Sequence, residues 1–218
     1  MRASLARREG ATRLRDAGVA SPERDADLLL AHVLDVPLGR LPLVDDLDAR
    51  QREQYDALLE RRAGREPLQH LTGSAAFRHV ELAVGPGVFV PRPETELLAG
   101  WAIEEAAALD RPVMVDLCTG SGAVAKAIAD EVPAAAVHAV ELDEAAYVWA
   151  ERNLAGTGVD LREGDMATAF DDLAGSGVDL RHDDMSAAFP DLDGTVDVVL
   201  CNPPYLPLEA YESVEPEA

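Results

Sequence analysis

A chain of 218 residues, 48% hydrophobic and 28% charged, can hold one large domain or two small ones with an ample core. Its 41 acidic residues against 19 basic ones give a net charge of −22, which repels phosphate backbones and disfavours wide nucleic-acid contact while suiting a basic protein partner. Two cysteines make no disulfide framework and no apolar run could span a bilayer, so a cytoplasmic protein without membrane attachment is expected.

Taken in order, Leu5, Ala6, Ala11, Leu14 and Ala17 recur at helical spacing over 3–17, and Gly18 can stop that helix. Ser21-Pro22 reads as an N-cap followed by proline at the first helical position, opening a helix to about Leu34. A third helix is expected over 48–63, with Tyr55, Leu58 and Leu59 on one face and Gly64 and Pro67 closing it. Helices this short need one another, so a small bundle is expected over 1–75. From 76 to 218 the pattern changes. Phe77, Val80 and Leu82, then Val84, Val88 and Val90, flank Gly85-Pro86-Gly87 and read as a hairpin over 77–90. A helix is expected from Thr95 to about Leu109, a buried strand over 113–117, a helix over 123–131, a strand over 135–140 and a helix over 144–155. This alternation argues a doubly wound parallel sheet.

Residues 156–162 recur nineteen positions on as 175–181, and Asp165-Met166 recurs as Asp184-Met185. One repeat pair is too little for a solenoid, so a local tandem duplication is expected. It leaves two candidates for one strand.

The run 196–201 reads as a buried strand, and Asn202-Pro203-Pro204-Tyr205 follows at its carboxyl end, where open α/β sheets bind ligands. The prolines fix the backbone, so one amide side chain, one fixed carbonyl and one aromatic ring are available to capture a planar NH2 group. In isolation the same four residues also read as a loop in which prolines end a strand. Residues 116–122, Asp-Leu-Cys-Thr-Gly-Ser-Gly, turn a strand into a helix through small residues that let backbone approach a ligand. Glu141 ends the next strand, where a carboxylate can take both hydroxyls of a ribose. A dinucleotide fingerprint would need Gly at Cys118, which argues against a nicotinamide cofactor. The five histidines share no ligand spacing, so no metal is expected. Cys118 and Cys201 end strands expected to be neighbours and read as reduced packing residues.

Residues 116–122, Glu141, an acidic residue after the third strand and Asn202-Pro203-Pro204-Tyr205 together resemble the ordered motifs of class I S-adenosylmethionine (SAM) methyltransferases. The preceding Phe89-Val90-Pro91-Arg92-Pro93-Glu94-Thr95-Glu96 and the helical domain ahead of it narrow the resemblance. They are similar to the HemK-type protein-(glutamine-N5) methyltransferases, which modify the Gly-Gly-Gln glutamine of class-1 peptide chain release factors. The resemblance implies an α/β class I methyltransferase fold, Rossmann-like, behind a small helical bundle and hairpin. It implies SAM as cofactor and a release factor as protein partner, with the helices of 1–75 as its substrate-recognition domain; a monomer is expected, and the net charge of −22 argues against direct nucleic-acid contact. By the same resemblance, Thr119, Gly120, Ser121, Gly122 and Ala123 would hold the methionine part of SAM beside Asp116, and Glu141 its ribose. Asp184 and Met185 would flank the adenine. Asn202 and the Pro203 carbonyl would accept from the glutamine amide, with Pro204, Tyr205 and Phe89 around it and Asn202 also near the cofactor.

The second repeat copy is preferred for the strand, with 156–174 looping out before it. The chain reaches Ala218 shortly after Asn202-Pro203-Pro204-Tyr205, so an incomplete sheet lacking its last strands is expected. Three rival readings share these motifs: a ribosomal-protein glutamine methyltransferase, an adenine-N6 or guanine-N2 nucleic-acid methyltransferase, and an inactive SAM-binding fragment.

Overall fold

The structure is a computed structural model, and it describes residues 1–164 and 196–203. Two compact units divide the chain after Gly73.

In the first unit, α1 (Ala3–Asp16), α2 (Pro22–Leu34), α3 (Ala49–Ala63) and α4 (Leu68–Thr72) are joined by a short 3-10 helix, Leu38–Leu43. Ala6, Leu14, Leu29, Leu30, Tyr55 and Leu59 form its core, each at most 2% exposed. Gly18 takes φ +75° and turns the chain out of α1, with Val19 N–H donating back to the Leu14 carbonyl at 3.0 Å. Ser21 makes no side-chain cap at α2; proline at the first position, with Glu23 and Asp25 in the first turn, carries that start instead. The capping box lies at α3. There the Asp48 carboxylate accepts from Gln51 N–H at 2.8 Å and the Gln51 side chain accepts from Asp48 N–H at 3.0 Å.

The second unit opens with a hairpin of β1 (Ser74–Phe77) and β2 (Val80–Ala83). Its turn is Arg78-His79, not the Gly85-Pro86-Gly87 read from the sequence. Arg78 accepts a left-handed φ of 48° because its side chain is anchored by a two-pronged ion pair to Glu131 at 2.6 and 2.7 Å. Gly85 is small for a different reason: a Cβ there would lie 2.5 Å from the Trp149 ring.

α5 (Thr95–Ala106), β3 (Val113–Leu117), α6 (Ala123–Glu131), β4 (Ala136–Glu141), α7 (Glu144–Leu154), β5 (Asp160–Glu163) and β6 (Val198–Cys201) follow. The four strands form one parallel sheet in the order β5-β4-β3-β6. Met114, Val137, Ala139, Val198 and Leu200 share a core with Ala99, Ala102 and Ala106 of α5, Ala123, Val124, Ala125, Ala127 and Ile128 of α6, and Ala146, Ala150 and Leu154 of α7. Alanines at these helix positions let the helices approach the sheet closely. Among the described residues no helix is long and apolar enough to cross a membrane.

β5 corrects the reading of the repeat. The strand after α7 is built from the first copy, so 160–163 pairs with β4 and does not loop out. The reason is what the strand meets across the sheet. Five residues connect α7 to β5, and Asp160 then meets His138 of β4 at 3.0 Å while Arg162 donates to it at 2.6 Å. Asp165-Met166, Asp184-Met185, Pro204 and Tyr205 lie outside the described residues.

Candidate functional site

The chain runs from β3 through β4 to β5 in one direction across the sheet and reaches β6 on the other side of β3. The strand order therefore reverses between β3 and β6, where the carboxyl ends of open α/β sheets leave a crevice for a ligand. Asp116 and the small-residue loop leave β3, Glu141 leaves β4, and Asn202 leaves β6.

The loop begins with a carboxylate in an apolar setting. Asp116 is 3% exposed, and burial pushes its carboxyl from the ordinary 3.8 up to about 7. The Thr119 hydroxyl, donating at 2.6 Å, and the Ala125 amide pull the other way, while the nearby Glu141 charge adds to the rise. Cys118 takes φ 59°, then Gly120 φ 58° and Gly122 φ 79°, so the backbone winds tightly into α6. Thr119 N–H donates to the Val140 carbonyl at 3.0 Å, tying the loop to β4. A side chain at Gly122 would press on Leu154, whereas nothing stands within 4 Å of a Cβ built on Gly120. The loop is thus packed on one side and open at Gly120. Ser121 and Ala123 are buried in it.

Glu141 reaches across this opening. Its Oε2 accepts from Gly120 N–H at 2.7 Å, and its Oε1 accepts from Leu142 and Asp143 N–H at 3.0 and 2.9 Å. The carboxylate is therefore held by three backbone donors at a defined height above the loop.

Asn153 braces the loop from below, a role the sequence reading missed. Its Nδ2 donates to the Ser121 and Ala83 carbonyls, each at 2.9 Å, and its Oδ1 accepts from Ala83 N–H at 2.7 Å. The available signal was an amide on the apolar face of α7, beside Ala146, Ala150 and Leu154.

At the far strand, Leu117 of β3 is paired with Cys201 of β6, so the loop and the Asn202-Pro203 step leave adjacent strand ends. Cys118 and Cys201 lie against each other there, and burial, with Cys201 adding, pushes the Cys118 thiol up to about 12. Asn202 is exposed, and its Nδ2 donates to Thr95 Oγ1 at 3.2 Å. Pro203 is half-buried. Phe89 is 59% exposed in the segment between β2 and α5. The structure brings Asp116, Thr119, Gly120 and Glu141 into one bonded cluster.

A parallel sheet in this order, with a glycine loop after the first strand and an acidic residue after the second, is a Rossmann-like frame, and the family match over 94–213 makes it a class I methyltransferase fold. Two family models match, the PrmC N-terminal domain over residues 6–73 and the methyltransferase small domain over 94–213. Among curated relatives, release factor glutamine methyltransferases from Streptomyces coelicolor and Mycolicibacterium smegmatis are 52% and 48% identical. Those alignments cover 94% and 88% of this chain and 66% and 62% of the relatives, so the chain spans slightly less than two thirds of their length. The enzyme of the same name from Deinococcus radiodurans is 36% identical over 96% of this chain and 69% of its own. The chain belongs to the release factor glutamine methyltransferase family.

Proposed function

We propose that this protein transfers a methyl group from SAM to the side-chain nitrogen of the Gly-Gly-Gln glutamine of a class-1 release factor, acting in the cytoplasm as a monomer. The observation that carries the reading is the glycine loop and Glu141 at the ends of β3 and β4, with the Asn202-Pro203 step leaving the adjacent strand β6.

The residues fit the cofactor. Gly120 leaves open space above its Cα, and Glu141 is held by three amides at the end of β4, with an acceptor site left on Oε2 for a ribose hydroxyl. Thr119, Ser121, Gly122 and Ala123 would cradle the methionine part, with Asp116 fixing the loop beneath it. Of the two Asp-Met pairs, Asp184-Met185 and Asp165-Met166, β5 being the first copy favours the second-named for the adenine, because it follows that strand in sequence. Bound SAM supplies an electrophilic methyl group on a sulfonium.

The chain's own residues answer a specific chemical difficulty. A glutamine nitrogen is a poor nucleophile because its lone pair is delocalised into the carbonyl. Asn202 Oδ1 and the Pro203 carbonyl would accept its two N–H bonds, orienting the nitrogen and matching the positive charge that develops on it during transfer. Tyr205 and Pro204, with Phe89, would pack around the planar amide. No base need act first, since the nitrogen loses its proton readily once alkylated.

The test is transfer of labelled methyl from SAM to a purified class-1 release factor, with the label located by peptide mass spectrometry. Label on the Gly-Gly-Gln glutamine, reduced by about 100-fold or more in Asn202→Ala, is expected. Label elsewhere, or none, would refute the reading.

A further inference from the structure

Asn202 ends in an amide whose two ends have opposite character: an NH2 that only donates and a carbonyl that only accepts. Half a turn about the bond that carries the amide exchanges them. To capture a substrate NH2 the carbonyl end must face it, because an NH2 presented to an NH2 makes no hydrogen bond. Something has to hold the other end.

The structure supplies a partner for that other end. Asn202 Nδ2 donates to Thr95 Oγ1 at 3.2 Å, which leaves Oδ1 as the end without a bond to α5. Thr95 is the first residue of α5, and its position is fixed from two directions. Behind it, its own N–H donates to the Arg92 carbonyl at 3.0 Å and Glu96 N–H donates to Pro93 at 3.1 Å, so the Pro91-Arg92-Pro93-Glu94 turn winds directly into the helix. Ahead of it, Ala99, Ala102 and Ala106 seat α5 in the core, and the Glu96 carboxylate accepts from Arg78 N–H at 3.1 Å. Thr95 and Asn202 are 107 positions apart, so the contact joins two motifs by tertiary structure alone.

We propose that Thr95 is a positioning residue: its hydroxyl holds the NH2 end of Asn202 so that Oδ1 is the end offered to the substrate amide. The proposal rests on the functional reading above and gives the Pro-Arg-Pro-Glu-Thr turn a task in it.

Two measurements test it. In the 218-residue protein, the side-chain NH2 resonances of Asn202, identified by their loss in Asn202→Asp, report the hydrogen bond without any turnover. Thr95→Val, which keeps the shape and removes the acceptor, should move them and speed their proton exchange; Thr95→Ser should not. With SAM and release factor, Thr95→Val should lower kcat by about tenfold with KM for the release factor little changed, as a misaimed but intact site does, and Thr95→Ser should restore it. A Thr95→Val protein with unaltered Asn202 resonances, or with wild-type kcat, overturns the proposal. If the wild-type chain labels no release factor, the functional reading fails, and the resonances alone then decide the Thr95 contact.

Discussion

Both units bury a carboxylate, and they treat it in opposite ways. In the helical unit, Asp25 and Arg62 are 6% and 5% exposed and face each other, Arg62 Nε donating to the carboxylate at 2.8 Å and Nη1 to the Glu66 carbonyl at 2.9 Å. In the sheet unit, Asp116 is as deeply buried, but its partners among the described residues are a hydroxyl and a backbone amide. A paired charge is compensated and fixes how α2 meets α3. An uncompensated carboxylate raises the energy of its own ionised form, and it does so under the loop of the candidate cofactor site. Buried charge thus serves structure where it is matched, and marks the functional loop where it is not.

Breaking the matched case should have the largest effect. Arg62→Met leaves Asp25 buried without its cation and should lower the unfolding free energy of the helical unit by about 3–5 kcal/mol, read from the urea midpoint. Adding Asp25→Leu should recover most of that loss, because the penalty comes from the orphaned charge and not from lost attraction. A single variant that unfolds within about 0.5 kcal/mol of wild type would show that the pair carries no such compensation.

The contrast between the units also marks what could be read from sequence. Periodic segments were legible: α1, α3, β3, α6 and β4 lie within a residue or two of their expected limits, because apolar spacing and turn residues act locally. Where a choice depended on a distant partner, the reading went astray. Gly85-Pro86-Gly87 has the stronger local turn signal, yet Arg78 makes the hairpin turn because Glu131, 53 residues away, anchors it. The two repeat copies offer equal local signals, and only pairing to β4 selects 160–163. In the site, Gly120 and Glu141 were legible as a loop and a strand end. Asn153 and Thr95 were not, because an amide and a hydroxyl acquire meaning only from what the fold sets opposite them.

The unmatched case should appear as a pH dependence. Asp116 titrates near 7 when folded and near 3.8 when unfolded, so between those values the folded state binds the extra proton. Stability contributed by this group is therefore full below about pH 4 and falls as pH rises through 7, the reverse of an ion-paired carboxylate. The total is on the order of 4 kcal/mol. Replacing the group by Asp116→Asn should remove that slope from the sheet unit's stability profile between pH 4 and 8 when compared with wild type. A variant profile parallel to wild type across the window would contradict the assignment.

The smallest effect probes the one side chain among the described residues that tempers Asp116. Thr119, 7% exposed, donates to the carboxylate at 2.6 Å and so favours its ionised form. Thr119→Val keeps the volume and deletes the donor, at a cost of about 1 kcal/mol at pH 8, where the carboxylate is charged. At pH 5, where Asp116 is protonated, the carboxyl needs that donor less and the cost should shrink. The Asp116 titration, followed by its carboxyl carbon resonance, should move above 7 for the same reason. A cost that is equal at the two pH values would mean that Thr119 serves the loop's packing and not the charge beneath it.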